Sequence, residues 1–415
     1  MSIKYLNQIL TYFSKVYHFR EKIKSIKDGR VKPQVDMVTI SFILLMGFMI
    51  QVPSFNRLEK WIKNNKFKKL LPRKSKMPSI DTVTYALDKV DLDSLNNFNT
   101  HIVKTTIKNK VFRYGTIDGY KVSAIDGVEL FESTKKCCED CLTREYNDGM
   151  HYFHRSVVCM TVGSDPHIIL GQEMLEPKKD GSDKDEGELT AGKRLIKNLY
   201  NEYNHFADII VADALYMKST WIQQLLDLGI DSVIRAKDER LHIVKDALGI
   251  FRSREADNKW IALKTSTKTI EVTAWDEDNF EMTNLGFKIR FLRFLEKITI
   301  GDKIEFKEIW IITTNKNIDN KTLWKIIHNR WHIENNGFHQ LKCQWNLKHC
   351  YFHSPTGIEA VMMFIIISFN LMQLFFFRCL RRFREKKMLQ IDIIEDLRDD
   401  LAVISRCPSN MSFIT

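Results

Sequence analysis

The spacing of hydrophobic and polar residues changes twice along the chain. Up to about residue 110 the apolar positions recur every three or four residues, which predicts helices, and from about residue 120 the spacing becomes that of strands. Three strands that can pair antiparallel are followed by helix, strand, helix and strand. This order predicts an α/β layer with a mixed sheet. The predicted strands are 120–125, 128–131, 152–162, 167–172, 209–212 and 232–236, with helices near 186–200 and 219–228.

Residues 238–306 interrupt this alternation. They contain several strand-like runs and no convincing long helix, so we interpret them as a β-rich insertion. The alternation resumes with a strand at 309–314. The predicted domains are a helical region at 1–110, a core at 111–237 and 307–385, the insertion at 238–306 and a tail at 386–415.

A helix predicted at 324–345 carries a carboxylate on its apolar face. Its apolar residues step by three or four and form one stripe, with Glu334 in the gap and Arg330 four residues earlier. Carboxylates are rarely buried unless they are paired or bind a metal. Glu334 is therefore either half of a structural ion pair with Arg330 or an acidic ligand in an active site. The stripe consists of Trp324, Ile327, Trp331, Phe338, Leu341 and Trp345.

Positive charge is concentrated in the first part of the chain. The net charge is +11, and residues 1–80 hold 17 Lys and Arg against four acids. This imbalance predicts a polyanionic partner, nucleic acid first and an anionic membrane second. Within 57–76, Trp61 and Phe67 interleave with a dense run of cations. This segment is either a surface that contacts phosphates without reading sequence or a solvated basic face.

The composition also bears on location. No secretory signal is recognisable, so we expect reduced cysteines and a cytoplasmic protein. Residues 357–377 are apolar and long enough to span a membrane. They carry Glu359, Asn370 and Gln373. These polar groups favour a buried core helix over a single membrane anchor, and we expect no membrane partner.

Two aspartates are candidates for chemistry at strand ends. Asp213 follows an apolar strand directly, at the position where open α/β sheets bind ligands. Asp126 precedes Gly127, a pair that is also common in hairpin turns. The same Ile-Asp-Gly tripeptide makes Asp118 a rival. We prefer Asp126 because apolar strand residues flank it on both sides.

Three carboxylates on separate elements, Asp126, Asp213 and Glu334, suit two Mg²⁺ ions. Mg²⁺ prefers oxygen ligands and keeps several waters, and paired ions support phosphoryl transfer. The chain has no Gly-rich phosphate loop and no Gly-x-Ser-x-Gly elbow. ATP hydrolysis and serine hydrolase chemistry therefore have no support.

Five motifs resemble the DDE transposases of bacterial insertion sequences, in the group with a Tyr, Arg, Glu and Lys signature. They are PSIDTVTYAL at 78–87, AIDGVELFES at 124–133, IIVADALY at 209–216, SVIRAK at 232–237 and RWHIENNGFHQLK at 330–342. The resemblance implies a ribonuclease H-like catalytic core with a β-rich insertion between the second and third acids. It also implies catalysis by Asp126, Asp213, Glu334, Arg330 and Lys342.

The same resemblance implies Mg²⁺ as cofactor, with Mn²⁺ as a substitute, and nucleoid-associated action. Its implied partners are double-stranded DNA, both element ends and target, and a second copy of the chain in the DNA complex. The leading hypothesis is a transposase that binds terminal inverted repeats and cleaves and rejoins DNA. The alternative is a non-catalytic DNA-binding protein derived from a decayed transposase.

Two positions depart from the signature. Its Tyr falls on Ile327, which has no hydroxyl, and Lys342 lies eight residues after Glu334 where the pattern has seven. An eighth residue on a regular helix is rotated by about 80° from the first. Lys342 would therefore miss the phosphate unless a local bulge restores the helical phase.

Two further groups have competing interpretations. Cys137, Cys138 and Cys141 form a cluster that suits Zn²⁺ together with Cys159, His151 or His154, but we identify no second pair at ligand spacing. The alternative is thiols in a loop. In the insertion, Trp260 and Trp275 either stack on an extruded base, as similar transposases do, or pack within the sheet.

Overall fold

A computed structural model describes residues 3–178, 184–237, 242–282, 284–351, 353–380, 383–406 and 413. Six helices come first, and side chains cap four of them. Asp36, Ser54, Ser79 and Asp91 each accept a hydrogen bond from a backbone N–H in the first helical turn. The helices are α1 (Leu6–Tyr17), α2 (Phe19–Lys24), α3 (Met37–Met49), α4 (Phe55–Lys63), α5 (Ile80–Asp88) and α6 (Leu92–Lys108).

The sheet that follows has the predicted mixed topology. Its strands are β1 (Val122–Ser133), β2 (Leu142–Tyr146), β3 (Gly149–Thr161), β4 (Ile169–Met174), β5 (Ile209–Ala212) and β6 (Asp231–Ala236). β1 pairs antiparallel with β3, and β3 pairs with both β2 and β4. On its other side β1 pairs parallel with β5, which pairs parallel with β6. The order β4-β3-β1-β5-β6 is ribonuclease H-like, so the predicted fold class is confirmed.

The sequence suggested two short strands separated at Gly127, but the structure has one strand of 12 residues. Asp126 and Gly127 pair with Val158 and Val157 of β3, so the Asp-Gly pair is not a turn. The ladder from β3 keeps the backbone extended there. Pairing with β5 ends at Ala124, which places Asp126 just beyond the end of β5.

The strand-rich segment extends this same sheet. Its strands are β7 (Asn258–Lys264), β8 (Lys268–Phe280), β9 (Ile289–Ile300) and β10 (Lys303–Thr313). β10 pairs antiparallel with β6, which makes one continuous sheet. The expectation of no long helix was wrong, because α9 (His242–Arg252) precedes β7. β10 also crosses the predicted boundary at 306/307.

The remaining described α-helices are α7 (Glu188–Tyr203), α8 (Ser219–Asp227), α10 (Asn320–Asn329), α11 (His339–Cys343), α12 (Pro355–Leu374) and α13 (Gln390–Arg406). Of these, α7, α8, α10 and α12 pack on the sheet, and α13 packs on α1. α12 begins the only helix, within the described ranges, that is long and apolar enough to cross a membrane. Of its most apolar window, 94% is buried inside the protein. The Asn370 amide donates to Asn99 and to the Ile169 carbonyl and accepts from the Ile169 N–H, so it secures the edge of β4.

The carboxy-terminal segment is more than a tail. α13 places the buried carboxylate of Asp400 at the start of α1, where it accepts from the backbone N–H groups of Lys4, Tyr5 and Leu6 at 2.7 to 2.9 Å. These groups have no partner within α1 itself, and a negative charge at a helix N-terminus is favourable. Asp400 therefore caps a helix that begins almost 400 residues away in sequence.

We expect Asp400→Ala to lower the free energy of unfolding by roughly 2–3 kcal/mol, because it leaves buried N–H groups without an acceptor. The exposed neighbour provides a matched control, since Asp399→Ala removes the same charge. Urea denaturation of both variants measures the difference. Equal stabilities would contradict the cap.

Candidate active site

Parallel pairing brings the two strand aspartates together. Ala124 of β1 is aligned with Val211 of β5, and each strand reaches its aspartate two residues later. Asp213 lies directly after β5 and accepts a hydrogen bond from the Leu215 N–H at 2.9 Å, which starts a short 3₁₀ turn. Asp126 and Asp213 therefore lie side by side at one edge of the sheet.

The helix after β10 adds the third carboxylate. Arg330 Nη2 donates to Glu334 Oε1 at 2.8 Å, and Arg330 Nη1 lies 3.6 Å from Asp126 Oδ2. The Arg330 side chain is only 3% exposed. Glu334 can therefore be both half of an ion pair and an active-site ligand, because the Arg330–Glu334 pair faces Asp126.

Electrostatics at Asp126 indicate that negative charge is under-compensated. The pKa of Asp126 is raised to about 7, mainly by burial and also by Asp213 and Glu188, although Arg330 and the Gly127 N–H oppose the shift. Arg330 Nη1 has no hydrogen-bond partner among the residues that the structure describes. A cation near Asp126, or an anionic group near Arg330, would relieve this imbalance.

Sequence reasoning missed Glu188, the first residue of α7. Its carboxyl lies against Gly127, where a Cβ would come 2.4 Å from Glu188 Cδ, so a larger residue at 127 would displace the Glu188 carboxyl. Arg155 of β3 forms an ion pair with Glu188. Burial raises the pKa of Glu188, Arg155 opposes this, and Asp213 adds to it. No local pattern marks Glu188, because the contact joins α7 to β1.

Two other residues at the site lay inside the quoted motifs but were given no role. Arg235 of β6 is half-buried. Burial and Arg330 lower its pKa, while Asp213 and Glu334 raise it, so it faces the same carboxylates. The buried Tyr216 hydroxyl has no partner in the described part of the chain. Burial raises the pKa of Tyr216, and the neighbouring acids Glu188, Asp126 and Asp213 add to the shift.

A π-helical turn at Ile333–Phe338 changes the phase between Glu334 and Lys342. The His339 N–H donates to the carbonyl of Glu334, five residues earlier. One inserted residue removes about 100° of rotation and leaves Lys342 about 20° from the direction of Glu334. Burial and Lys348 lower the pKa of Lys342, whereas Glu129 and Asp126 oppose this, so the ammonium lies within electrostatic range of Asp126.

Asp118, the alternative candidate to Asp126, lies outside this site. Asp118 accepts from Lys325 Nζ at 2.6 Å and from Thr322 Oγ1 at 3.0 Å, on the first turns of α10. Ile327, which takes the place of the signature Tyr, is buried in the core and has no hydroxyl. Trp331 does not belong to the buried stripe. It is 38% exposed, and Arg330 lies 4.8 Å from its ring centre.

The aromatics proposed for DNA stacking have partners within the protein. Trp260 packs edge to face on Phe294 and Trp324. Trp275 donates its indole N–H to Arg254, and Arg293 covers its ring at 4.4 Å. These contacts favour packing.

The aromatics of the basic segment also face inward. Phe67 is fully buried and lies 6.1 Å from the Trp61 ring. The exposed surface of the segment is therefore cationic rather than mixed. Its exposed cations are Arg57, Lys60, Lys63, Arg73, Lys74 and Lys76.

The donor set fits divalent metal ions. Asp126, Asp213 and Glu334 offer carboxylate oxygens, the ligands that Mg²⁺ prefers, and Glu188 lies beside them. The raised pKa of Asp126 has the sign expected of a carboxylate that lacks a cation. Arg330 now neutralises part of this charge from one side.

A protein-family model matches about half of the chain. The family model described as Transposase DDE domain matches residues 162–371, just over half of the chain. This range includes Asp213, Arg330, Glu334 and Lys342 but begins after Asp126.

A search of curated proteins found no match. Among solved structures, the chain is similar to the piggyBac transposase in a cryo-EM structure of its synaptic complex with hairpin DNA. The identity is 11% and the TM-score 0.43, over 98% of this chain and 83% of that one.

We expect Asp126→Asn to stabilise the metal-free protein at pH 8 by roughly 1–4 kcal/mol. Between pH 3.8 and about 7 the folded chain holds a proton on Asp126 that the unfolded chain has released. The free energy of unfolding therefore falls as pH rises through this window, and the advantage of Asn shrinks as pH falls from 7 towards 4. Urea denaturation with a chelator at pH 8 and pH 4.5 measures it. A variant less stable than wild type at pH 8 would contradict the assigned charge imbalance.

Proposed function

Because the chain belongs to the DDE transposase family, we propose that it is the transposase of a bacterial insertion sequence, in the group with a Tyr, Arg, Glu and Lys signature. It binds the terminal inverted repeats of its element and catalyses metal-dependent DNA cleavage and strand transfer. The observation that supports this most directly is the meeting of Asp126, Glu334 and Arg330 beside Asp213. A cluster of acids with a raised pKa at one of them is typical of functional sites.

The carboxylates of Asp126, Asp213 and Glu334 would hold the divalent ions, which DDE transposases generally use. We propose Mg²⁺, with Mn²⁺ as a substitute, and two ions per site. When bound, such ions activate the attacking oxygen and stabilise the leaving oxygen in phosphoryl transfer. Water is the first nucleophile and the released 3′-hydroxyl is the second.

Cationic side chains position the DNA backbone in this proposal. Arg330 Nη1 is a buried donor that has no acceptor within the described residues, and it lies next to Asp126. A phosphate oxygen at this point would complete its hydrogen bonding. Two further cations would stabilise the negative charge of the same phosphate group. They are Arg235 and Lys342, which the π turn rotates towards the side of Glu334. These cations would neutralise the phosphate charge without the Tyr hydroxyl that Ile327 lacks.

DNA outside the site contacts the amino-terminal helices. The exposed cations around α4 neutralise phosphates without reading sequence. Pairing two element ends requires two copies of the chain, so we propose a homodimer in the DNA complex, acting on nucleoid DNA in the cytoplasm. Trp331 is the exposed aromatic beside Arg330, and it can stack on a base.

We expect Asp213→Asn and Glu334→Gln to retain binding to end-sequence DNA but to lose Mg²⁺-dependent cleavage. Removing one carboxylate charge weakens metal binding without changing the basic surface. Asp118→Asn is the matched control, because this acid pairs with Lys325 instead. Gel-shift and cleavage assays on the same DNA measure both properties. Normal cleavage by either variant would contradict the assignment of Asp213 and Glu334 as metal ligands.

Trp331→Ala should weaken binding of end DNA with an unpaired base by roughly 1–3 kcal/mol, while Trp331→Phe retains most of the affinity. Trp260→Phe serves as the comparison, because Trp260 packs within the sheet. Fluorescence anisotropy checks this. Equal affinities for wild type and Trp331→Ala would exclude stacking at this position.

A nicking assay on supercoiled plasmid separates the transposase from the non-catalytic alternative. The plasmid carries the DNA that flanks the gene, with Mg²⁺ or Mn²⁺ present. We expect nicking with either ion. Binding without nicking under both conditions would favour the decayed protein.

A further inference from the structure

Three metal-ligating side chains meet away from the acidic site. Cys138 and Cys141 lie in the loop between β1 and β2, and His154 lies on β3. The distance between the two Sγ atoms is 3.5 Å, and His154 Nε2 lies 3.1 Å from Cys138 Sγ and 3.4 Å from Cys141 Sγ. Of the sequence candidates, Cys137 is exposed, and neither Cys159 nor His151 belongs to this group.

These distances match one bound ion. Tetrahedral zinc with Zn–S near 2.3 Å and Zn–N near 2.0 Å separates two sulfurs by roughly 3.8 Å and sulfur from nitrogen by roughly 3.6 Å. The Cys138 N–H also donates to Cys141 Sγ at 3.2 Å, which holds the loop in a turn around the sulfurs. His154 is buried, and its Nε2 faces both sulfurs.

A second pair at ligand spacing reaches this group from another part of the chain. Cys350 and His353 are three residues apart in the connection between α11 and α12. His154 and His353 both pack on Phe131, with ring centres 5.7 and 6.2 Å from that of Phe131, which brings this pair to the side of the cysteine cluster. Cys350 Sγ lies 3.5 Å from His353 Nε2, so the two candidate ligands are adjacent. The sequence analysis missed this pair because about 200 residues separate it from Cys141.

We propose that Cys138, Cys141 and His154 bind a structural Zn²⁺ ion, with Cys350 or His353 as the fourth ligand. Closed sets of four nitrogen and sulfur ligands are typical of structural zinc sites. The ion ties the β1–β2 loop and β3 to the α11–α12 connection.

The position of this connection gives the ion a structural role. Tyr351 lies between the two candidate ligands and packs on Phe48 of α3 and Phe55 of α4. The connection begins just after Lys342 of α11. Zinc would therefore fasten together the catalytic sheet, the basic α4 and the helix that carries Lys342.

The test measures zinc in the full chain purified without a metal-affinity step. We expect about one zinc per chain that survives dialysis, and Co²⁺ in its place should give the visible bands of tetrahedral thiolate coordination. Chelation should lower the thermal midpoint, and added Zn²⁺ should restore it. A wild-type chain that holds no zinc after growth in zinc and shows no tetrahedral Co²⁺ spectrum would overturn the proposal.

Variants identify the ligands. Cys138→Ser and His154→Asn should lose the zinc, whereas Cys137→Ser, in the same loop, should keep it. Circular dichroism confirms that each variant is folded, and Co²⁺ titration of wild type gives a reading that needs no variant. Equal zinc loss in Cys137→Ser and Cys138→Ser would overturn the assignment.

The fourth ligand is distinguished by Cys350→Ser and His353→Asn. Weaker zinc retention in one of them supports the bridge and names its ligand. Unchanged retention in both would overturn the bridge to the α11–α12 connection.

Discussion

The buried guanidinium of Arg330 between Glu334 and Asp126 is the interaction on which the active-site geometry depends. It joins the helix after β10 to the centre of the sheet, and each carboxylate lies within 3.6 Å of one of its nitrogens. Isolated carboxylates are costly to bury, so this pairing makes the gathering of acids tolerable. It remains incomplete, since the pKa of Asp126 is raised to about 7. The uncompensated negative charge therefore lowers the free energy of unfolding, and bound metal ions and DNA phosphate would restore it.

Two local features support this arrangement. β1 continues through Gly127 because β3 pairs with it there, and the missing side chain at Gly127 leaves room for the Glu188 carboxyl, a fourth acid beside Asp126. The π turn at Ile333–Phe338 absorbs the extra residue that sets Lys342 apart from the family signature. One of the two reasons for suspecting a decayed protein is therefore answered by local geometry, and Ile327 remains the other.

Local pattern was enough to predict much of this protein. Asp213 follows an apolar strand, and Glu334 interrupts an apolar stripe, so both stood out from the sequence. Residues defined by long-range contacts did not. Glu188 matters through its contact with Gly127, and Asp400 through capping a helix at the other end of the chain. The spacing of Trp331 fits the helical stripe, but its side chain is 38% exposed and lies beside Arg330.

The same limit applies to the cysteine cluster, whose additional candidate ligands lie on a distant connection. That connection packs on α3 and α4, so α4, with its exposed cations, and the sheet that carries the acids both lie beside the proposed zinc site. DNA held by one would lie within reach of the other. The orientation of bound DNA and its cleavage would then both depend on the α11–α12 connection.

In the proposed reaction, the acids around Arg330 direct the attack of water on a phosphate and so cut DNA. To test this, DNA that contains the element boundary is incubated with the protein and Mg²⁺, and the ends that form are mapped. We expect a break at the boundary that leaves a 3′-hydroxyl and a 5′-phosphate. Uncut DNA, or a break that leaves a 3′-phosphate, would contradict it.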